Sequence, residues 1–243
     1  AAPASPLTDL ASGNPAAAWL PDLATVLAQQ TRPPHLYGET TLHAGLAEQA
    51  RAWLAPDCPA VTHLQVTHGA VDAIERLLEA HLVAGDTVAV EDPCFITSIN
   101  TLCVAGLQAL GVAVDQEGMR ADALEAALAA GARAVIITPR AHNPTGYSIS
   151  RQRALALRQV LARYPHVLVI LDDHFALLAR TPYYSVLPAA TLHWALVRSL
   201  SKALGPDLRL AVLACDAQTA ARLQTRLAPG TQWVSHLLQG VAH

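Results

Sequence analysis

Apolar positions follow two rhythms along this chain. Short unbroken runs, such as Val167-Leu168-Val169-Ile170-Leu171, alternate with stretches whose apolar residues recur every three or four positions. The first rhythm predicts strands buried on both faces, and the second predicts amphipathic helices. Strands are expected at 63–67, 87–91, within 107–114, and at 134–138, 167–172, 192–199 and 210–216. Helices are expected at 21–30, 43–55, 69–83, 96–105, 121–130, 150–163 and 217–227, with a further one starting near Gln232. Ile74, Leu77, Leu78 and Leu82 form one helical stripe; Leu42, Leu46, Ala50 and Trp53 form another. Pro21 is expected in the first turn of its helix, and Ser150 as an N-cap. Residues 1–36 are loop-rich, with Ser12-Gly13-Asn14-Pro15, Leu20-Pro21-Asp22 and Pro33-Pro34.

Strands separated by helices of this length predict an α/β fold, with a mostly parallel (mixed) central sheet flanked by helices. Ligands of such sheets bind beyond the carboxyl ends of the strands. That rule selects Thr67-His68-Gly69, Glu91-Asp92-Pro93, Thr138-Pro139, Leu171-Asp172-Asp173 and Ser199-Leu200-Ser201-Lys202.

Composition narrows the class. The chain has 243 residues, 52% of them hydrophobic and 14% charged, which suits a large buried core and excludes global disorder. A net charge of −3 argues against a general nucleic-acid surface. Cys58, Cys94, Cys103 and Cys215 have no paired metal spacing and read as reduced thiols of a cytoplasmic protein, two or three of them buried. Eleven histidines include neither HExxH nor HxH, so no metal site is expected. No apolar run has the length of a membrane span. The opening Ala1-Ala2-Pro3-Ala4-Ser5-Pro6 lacks the pattern of a signal peptide and reads as a linker or a cut end.

Lys202 is the only lysine among 16 basic side chains. A lysine amine can lose its proton and form a Schiff base with an aldehyde; a guanidinium cannot. A genome that replaces Lys with Arg would also leave a single lysine by chance, so the neighbours matter. Ser199, Ser201 and Arg209 flank it, and two hydroxyls with a guanidinium suit a phosphate monoester; Arg209 also reads as a plain surface residue. His68-Gly69-Ala70 offers N–H groups at a helix start, which bind anions, or is an ordinary strand-to-helix turn. Asn143-Pro144-Thr145-Gly146 is a turn that can also hold an Asn side chain over a ligand. Asp172-Asp173 ends the most apolar strand. An acid there is a cap, a solvated charge, or the partner of a protonated pyridine nitrogen.

Together and in this order, these motifs resemble the fold-type I enzymes that use pyridoxal 5′-phosphate, the class I/II aminotransferase superfamily. The resemblance runs from about Leu7 onward. It implies the large cofactor-binding domain over residues 46–243, with residues 1–45 as an N-terminal arm. It further implies Lys202 as the Schiff-base lysine, Asp172 as the partner of the ring nitrogen, and these two as the catalytic pair. Asn143 matches the residue that hydrogen-bonds the ring oxygen. Gly69, Ala70, Ser199, Ser201 and Arg209 match the phosphate cup, and Phe95 the aromatic stacked on the ring. Tyr37 matches the tyrosine that reaches the phosphate of a neighbouring subunit, which implies a homodimer. His174 stands where a tyrosine commonly touches the cofactor, His68 where many relatives have serine, and Phe95 lacks the usual hydroxyl. These departures bear on turnover more than on binding.

Within the superfamily, Asp9-Leu10-Ala11-Ser12-Gly13-Asn14-Pro15, Glu91-Asp92-Pro93, Asp172-Asp173 and Ser199-Leu200-Ser201-Lys202 with Pro206-Asp207-Leu208-Arg209 are similar to the effector domains of MocR-type regulators of the GntR family. Thr138 to Gly146, Asp172 to Leu178 and Gly230 to His236 resemble the PtsJ-type branch, which is linked to vitamin B6. This implies a domain that senses pyridoxal phosphate, or an amino acid or amine, with DNA contacted only through a winged helix-turn-helix outside these residues. The family's small C-terminal domain is likewise outside them, so the chain is expected to be part of a longer protein. The alternative expectation is a catalytic aminotransferase acting on an amino acid, with Lys202 moving the proton as general acid–base.

Overall fold

A computed structural model of the chain describes residues 15–30, 34–58 and 63–243. Its strands are β1 (His63–Thr67), β2 (Thr87–Asp92), β3 (Gln108–Asp115), β4 (Gly118–Met119), β5 (Ala134–Ile137), β6 (Leu168–Asp172), β7 (His193–Ser199) and β8 (Ala211–Cys215). Its helices are α1 (Leu23–Ala28), α2 (Ala44–Leu54), α3 (Ala70–His81), α4 (Ile96–Val104), α5 (Ala121–Ala129), α6 (Arg151–Leu161), α7 (Ser201–Leu204), α8 (Ala217–Leu227) and α9 (His236–Ala242).

The sheet order is β1-β8-β7-β6-β5-β2-β3-β4. β3, β2, β5, β6 and β7 are mutually parallel. β8 runs antiparallel to both β7 and β1, and β4 antiparallel to β3. The sheet is therefore mixed, as expected. Two reversals return β1 to the direction of β7. The carboxyl ends of β1, β2, β5, β6 and β7 consequently share one edge, and β8 departs from it. Register fixes the point: Thr67 and Ser199 both pair with Ala211. Arg209, two residues before β8, is thereby brought to the same edge.

Alternate residues of a strand serve opposite faces. Leu168 and Ile170 pack in one core with Leu77 and Leu78 of α3 and Leu223 of α8. Val169 and Leu171 pack in the other with Leu54 of α2, Leu124 of α5 and Leu157 of α6. β6 reads as an unbroken apolar run because both of its faces are covered. Each such side chain taken out of water contributes roughly 1.5–3 kcal/mol.

Local signals worked where a side chain acts on the backbone. Ser150 caps α6 by accepting the Arg153 N–H at 3.0 Å. His43 caps α2 through Nδ1, which accepts the Leu46 N–H at 3.1 Å. Pro21 is not in the first turn of α1: Asp22 is the N-cap, taking the N–H groups of Ala24 and Thr25, so the proline lies one residue outside. Two elements escaped the pattern. β4 has two residues and α7 has four, too few to show a period. The four cysteines are free, as expected, but only Cys215 is fully buried; Cys58 and Cys94 are half-buried and Cys103 is exposed. No helix among the described residues is long and apolar enough to cross a membrane. Among them, no cluster of His, Cys, Asp and Glu could hold a metal ion. The run Ala1 to Asn14 and Pro33 lie outside the described residues.

Candidate functional site

A cavity of about 200 Å³ is lined from this shared edge. Nine of the expected site residues line it. They are Lys202, Asp172, Asn143, Ala70, Phe95, His174, Ser199, Ser201 and Arg209.

Asp172 is the last residue of β6. Its Oδ2 lies 3.1 Å from His174 Nδ1, misaligned for a hydrogen bond, and its Oδ1 is buried with no partner among the described residues. Burial opposes charge on His174, but the Asp172 carboxylate beside it outweighs that and holds the imidazole pKa above its ordinary value. An ionised carboxylate with a free buried oxygen is unfavourable without a cationic or protonated partner.

Lys202 sits in the single turn of α7, which follows the end of β7. The residue is exposed at the cavity, and its Nζ is 5.8 Å from the centre of the Phe175 ring. Gly205 ends that turn at φ +105°, a left-handed conformation that suits glycine, and sends the chain back towards β8. Ser201 Oγ donates to the Leu208 carbonyl at 2.8 Å across this reversal. That proton is thus committed to the backbone. Ser199 Oγ instead accepts the Ser201 N–H at 3.2 Å, so its own proton remains to be donated.

α3 begins beside these serines. Gly69 is its N-cap at φ +96°, with no side chain capping the first turn. The Arg209 guanidinium lies against this helix start, 3.5 Å from where a Cβ at Gly69 would sit, an ordinary contact distance, so it is the positive φ that calls for glycine. Arg209 makes no side-chain hydrogen bond or ion pair among the described residues. Uncapped N–H groups, a guanidinium and a hydroxyl thus converge on one corner of the cavity, a suitable seat for an anion.

Asn143 enters from the loop between β5 and α6, and Phe95 from the N-cap of α4, 40% exposed. Gly69 does not itself line the cavity but adjoins Ala70, which does. Tyr37 is not brought to the cavity. It is 88% exposed, with its ring edge-on to Trp233 at 5.7 Å.

Two buried charge clusters behind the site have no counterpart among the expected site residues. Asp173, fully buried, accepts from Arg140 at 3.0 and 2.6 Å and from Arg198 Nε at 2.9 Å. Arg198, itself 0% exposed, also donates to the Trp53 carbonyl at 3.0 Å and to Asp57, and lies over the Trp53 ring. Glu91 and His142 form a second buried pair. The only signal for either was a charge at the end of an apolar strand, which does not say whom it meets.

Residues 5–243 match the aminotransferase class I and II family, and the chain belongs to it. It is 56% identical over 241 residues to the vitamin B6 salvage pathway transcriptional repressor PtsJ of Salmonella typhimurium, covering 99% of this chain and 56% of that protein. It is 35% identical over 113 residues to the uncharacterized HTH-type transcriptional regulator YdcR of Escherichia coli, covering 46% of this chain and 24% of that one. In fold it is similar to a kynurenine aminotransferase of Pyrococcus horikoshii, with a TM-score of 0.82 at 21% identity over 95% of this chain and 61% of the other. The chain thus spans little more than half the length of the repressor it resembles. Both levels of the resemblance read from the sequence, superfamily and PtsJ-like branch, are borne out.

Proposed function

We propose that this chain is the aminotransferase-like effector domain of a MocR/GntR-type transcriptional regulator, and that its cavity binds pyridoxal 5′-phosphate. One observation carries the reading: the wall that holds the sole lysine also holds Asp172, a half-buried carboxylate with one buried oxygen unpartnered among the described residues. A pyridine nitrogen that keeps its proton is the partner such an oxygen lacks. The similarity to a vitamin B6 repressor supports the same ligand.

The residues fit the group end to end. Arg209, the Ser199 hydroxyl and the N–H groups of Ala70 and its neighbours would hold the phosphate, with Gly69 giving it room. Asp172 would hold a proton on the ring nitrogen, oriented by His174. Phe95 would cover one ring face, and Asn143 would meet the ring oxygen. Lys202 Nζ would carry the group covalently. When bound, the cofactor supplies an electrophilic carbon and an electron-withdrawing ring. Ser201 acts by fixing the Leu208 turn and so the path of Lys202 and Arg209. Tyr37 would serve the phosphate of a second copy, in a homodimer. Residues 46–243 form the binding unit and 1–45 the arm. An amino acid or amine is the second ligand class, and DNA is met through a winged helix-turn-helix elsewhere in the longer protein.

Adding pyridoxal phosphate to the purified chain is expected to give a yellow protein, and a Lys202→Ala variant that stays colourless. A wild type that stays colourless overturns the cofactor reading. Incubating the yellow protein with a panel of amino acids then separates sensor from enzyme. Slow or absent conversion to the amine form supports the effector domain, and rapid conversion supports a catalytic aminotransferase instead.

A further inference from the structure

Glu91 and His142 have no place among the ligand contacts proposed above, yet both are buried beside the cavity. Glu91 lies near the end of β2 and is 3% exposed. Its Oε2 accepts the N–H of Thr138, the first residue after β5, at 3.0 Å. The same oxygen is 3.2 Å from Nε2 of His142, also 3% exposed. His142 Nδ1 in turn lies 2.8 Å from Thr145 Oγ1. The His142 N–H donates to the Tyr147 carbonyl at 2.8 Å, and its carbonyl accepts the Gly146 N–H at 2.6 Å. His142 is therefore held through Nδ1 and both backbone groups, while Nε2 lies against the Glu91 carboxylate without the alignment of a hydrogen bond.

Asn143 is the next residue. Its side chain makes no hydrogen bond among the described residues, so its direction into the cavity is set by the backbone that His142 anchors. The preceding residue, Ala141, adopts φ +48°, an unfavourable conformation for alanine, and its N–H is held by Ser148 Oγ at 3.0 Å. A carboxylate this deep is costly unless its oxygens are paired, and Glu91 Oε1 has no partner among the described residues. A loop that needed only a turn could be held by an uncharged side chain.

We propose that Glu91 is a positioning residue: by holding the Thr138 N–H and lying against the His142 ring, it fixes the loop after β5 so that Asn143 reaches the ring of the bound ligand. The inference rests on the pyridoxal phosphate reading above. Its test is a double-variant comparison on the chain titrated with pyridoxal phosphate, read by affinity, by the visible band and by melting of the ligand-free protein. Asn143→Ala and Glu91→Ala are each expected to weaken binding about tenfold, the worth of one hydrogen bond, and to shift the band the same way. The double variant is expected to bind no worse than either, because the same contact is lost only once. Multiplied losses of about a hundredfold in the double variant overturn the inference. So does a Glu91→Ala protein that melts lower yet binds and absorbs like wild type. Glu91→Gln keeps an acceptor for Thr138 without the carboxylate charge beside the His142 ring, and it takes the same comparison if the alanine variant does not fold. A wild type that fails to bind overturns the underlying reading and this inference with it; multiplied losses in a binding wild type overturn this inference alone.

Discussion

Asp172 and Asp173 are neighbours at the end of one strand, and they meet opposite surroundings. Asp173 turns into the core between α2 and the sheet, where two guanidiniums satisfy both of its oxygens. Asp172 turns to the cavity, with one oxygen near His174 and the other unpartnered among the described residues. The first acid is closed by the protein itself, and the second is left for a ligand. A strand whose successive side chains face opposite ways puts a structural and a functional carboxylate one residue apart. The contrast teaches that burial and charge alone do not mark a site; an unmet bonding capacity on the open side does.

The comparison can be broken by exchanging the consequences. Asp173→Ala leaves the buried Arg140 guanidinium without a carboxylate and Arg198 with Asp57 alone, and is expected to cost about 3–5 kcal/mol, seen as a large drop in denaturation midpoint. Asp172→Ala is expected to change the stability of the ligand-free protein by about 1 kcal/mol or less, yet to weaken pyridoxal phosphate binding by roughly 10–100-fold, the worth of a hydrogen bond to a charged group. Equal stability losses for the two variants would abolish the distinction. Lys202→Ala is expected to leave the unfolding free energy within about 0.5 kcal/mol of wild type while removing the yellow colour, since the residue is exposed and makes no hydrogen bond among the described residues.

The smallest expected effect is on pH. His174 has a folded pKa raised above 6.5, by the Asp172 carboxylate against the opposing effect of burial. Its contact with Asp172 therefore adds stability in full below pH 6.5 and loses it as pH rises through the raised value. Replacing His174 by Phe should lower the melting point more in acid than in alkali, by on the order of 1 kcal/mol. A difference of the opposite sign would mean that the imidazole is neutral in the folded protein.

The helix and strand pattern was legible because each long element repeats its rhythm several times. β4 and α7 were not, since two or four residues cannot show a period. The edge that gathers the site followed from the alternation of strands with helices, and candidates for the cavity followed from that edge. What the sequence withheld was partnership. Asp172 and Asp173 look alike in one dimension, and nothing near Arg140 or Arg198 says that both turn to Asp173 from 33 and 25 residues away. Glu91 and His142 are likewise joined only by the pairing of β2 with β5. Ser201 carried the right residue type, but its proton is spent on Leu208, a contact made by the reversal at Gly205.

The most direct measurement is to saturate the chain with pyridoxal phosphate, reduce the complex with borohydride and map the adduct by peptide mass spectrometry. A single phosphopyridoxyl group on Lys202, lost or much reduced when Asp172 is replaced by Ala, is the predicted result. No adduct, or an adduct at Lys202 that forms equally well without Asp172, would contradict the account.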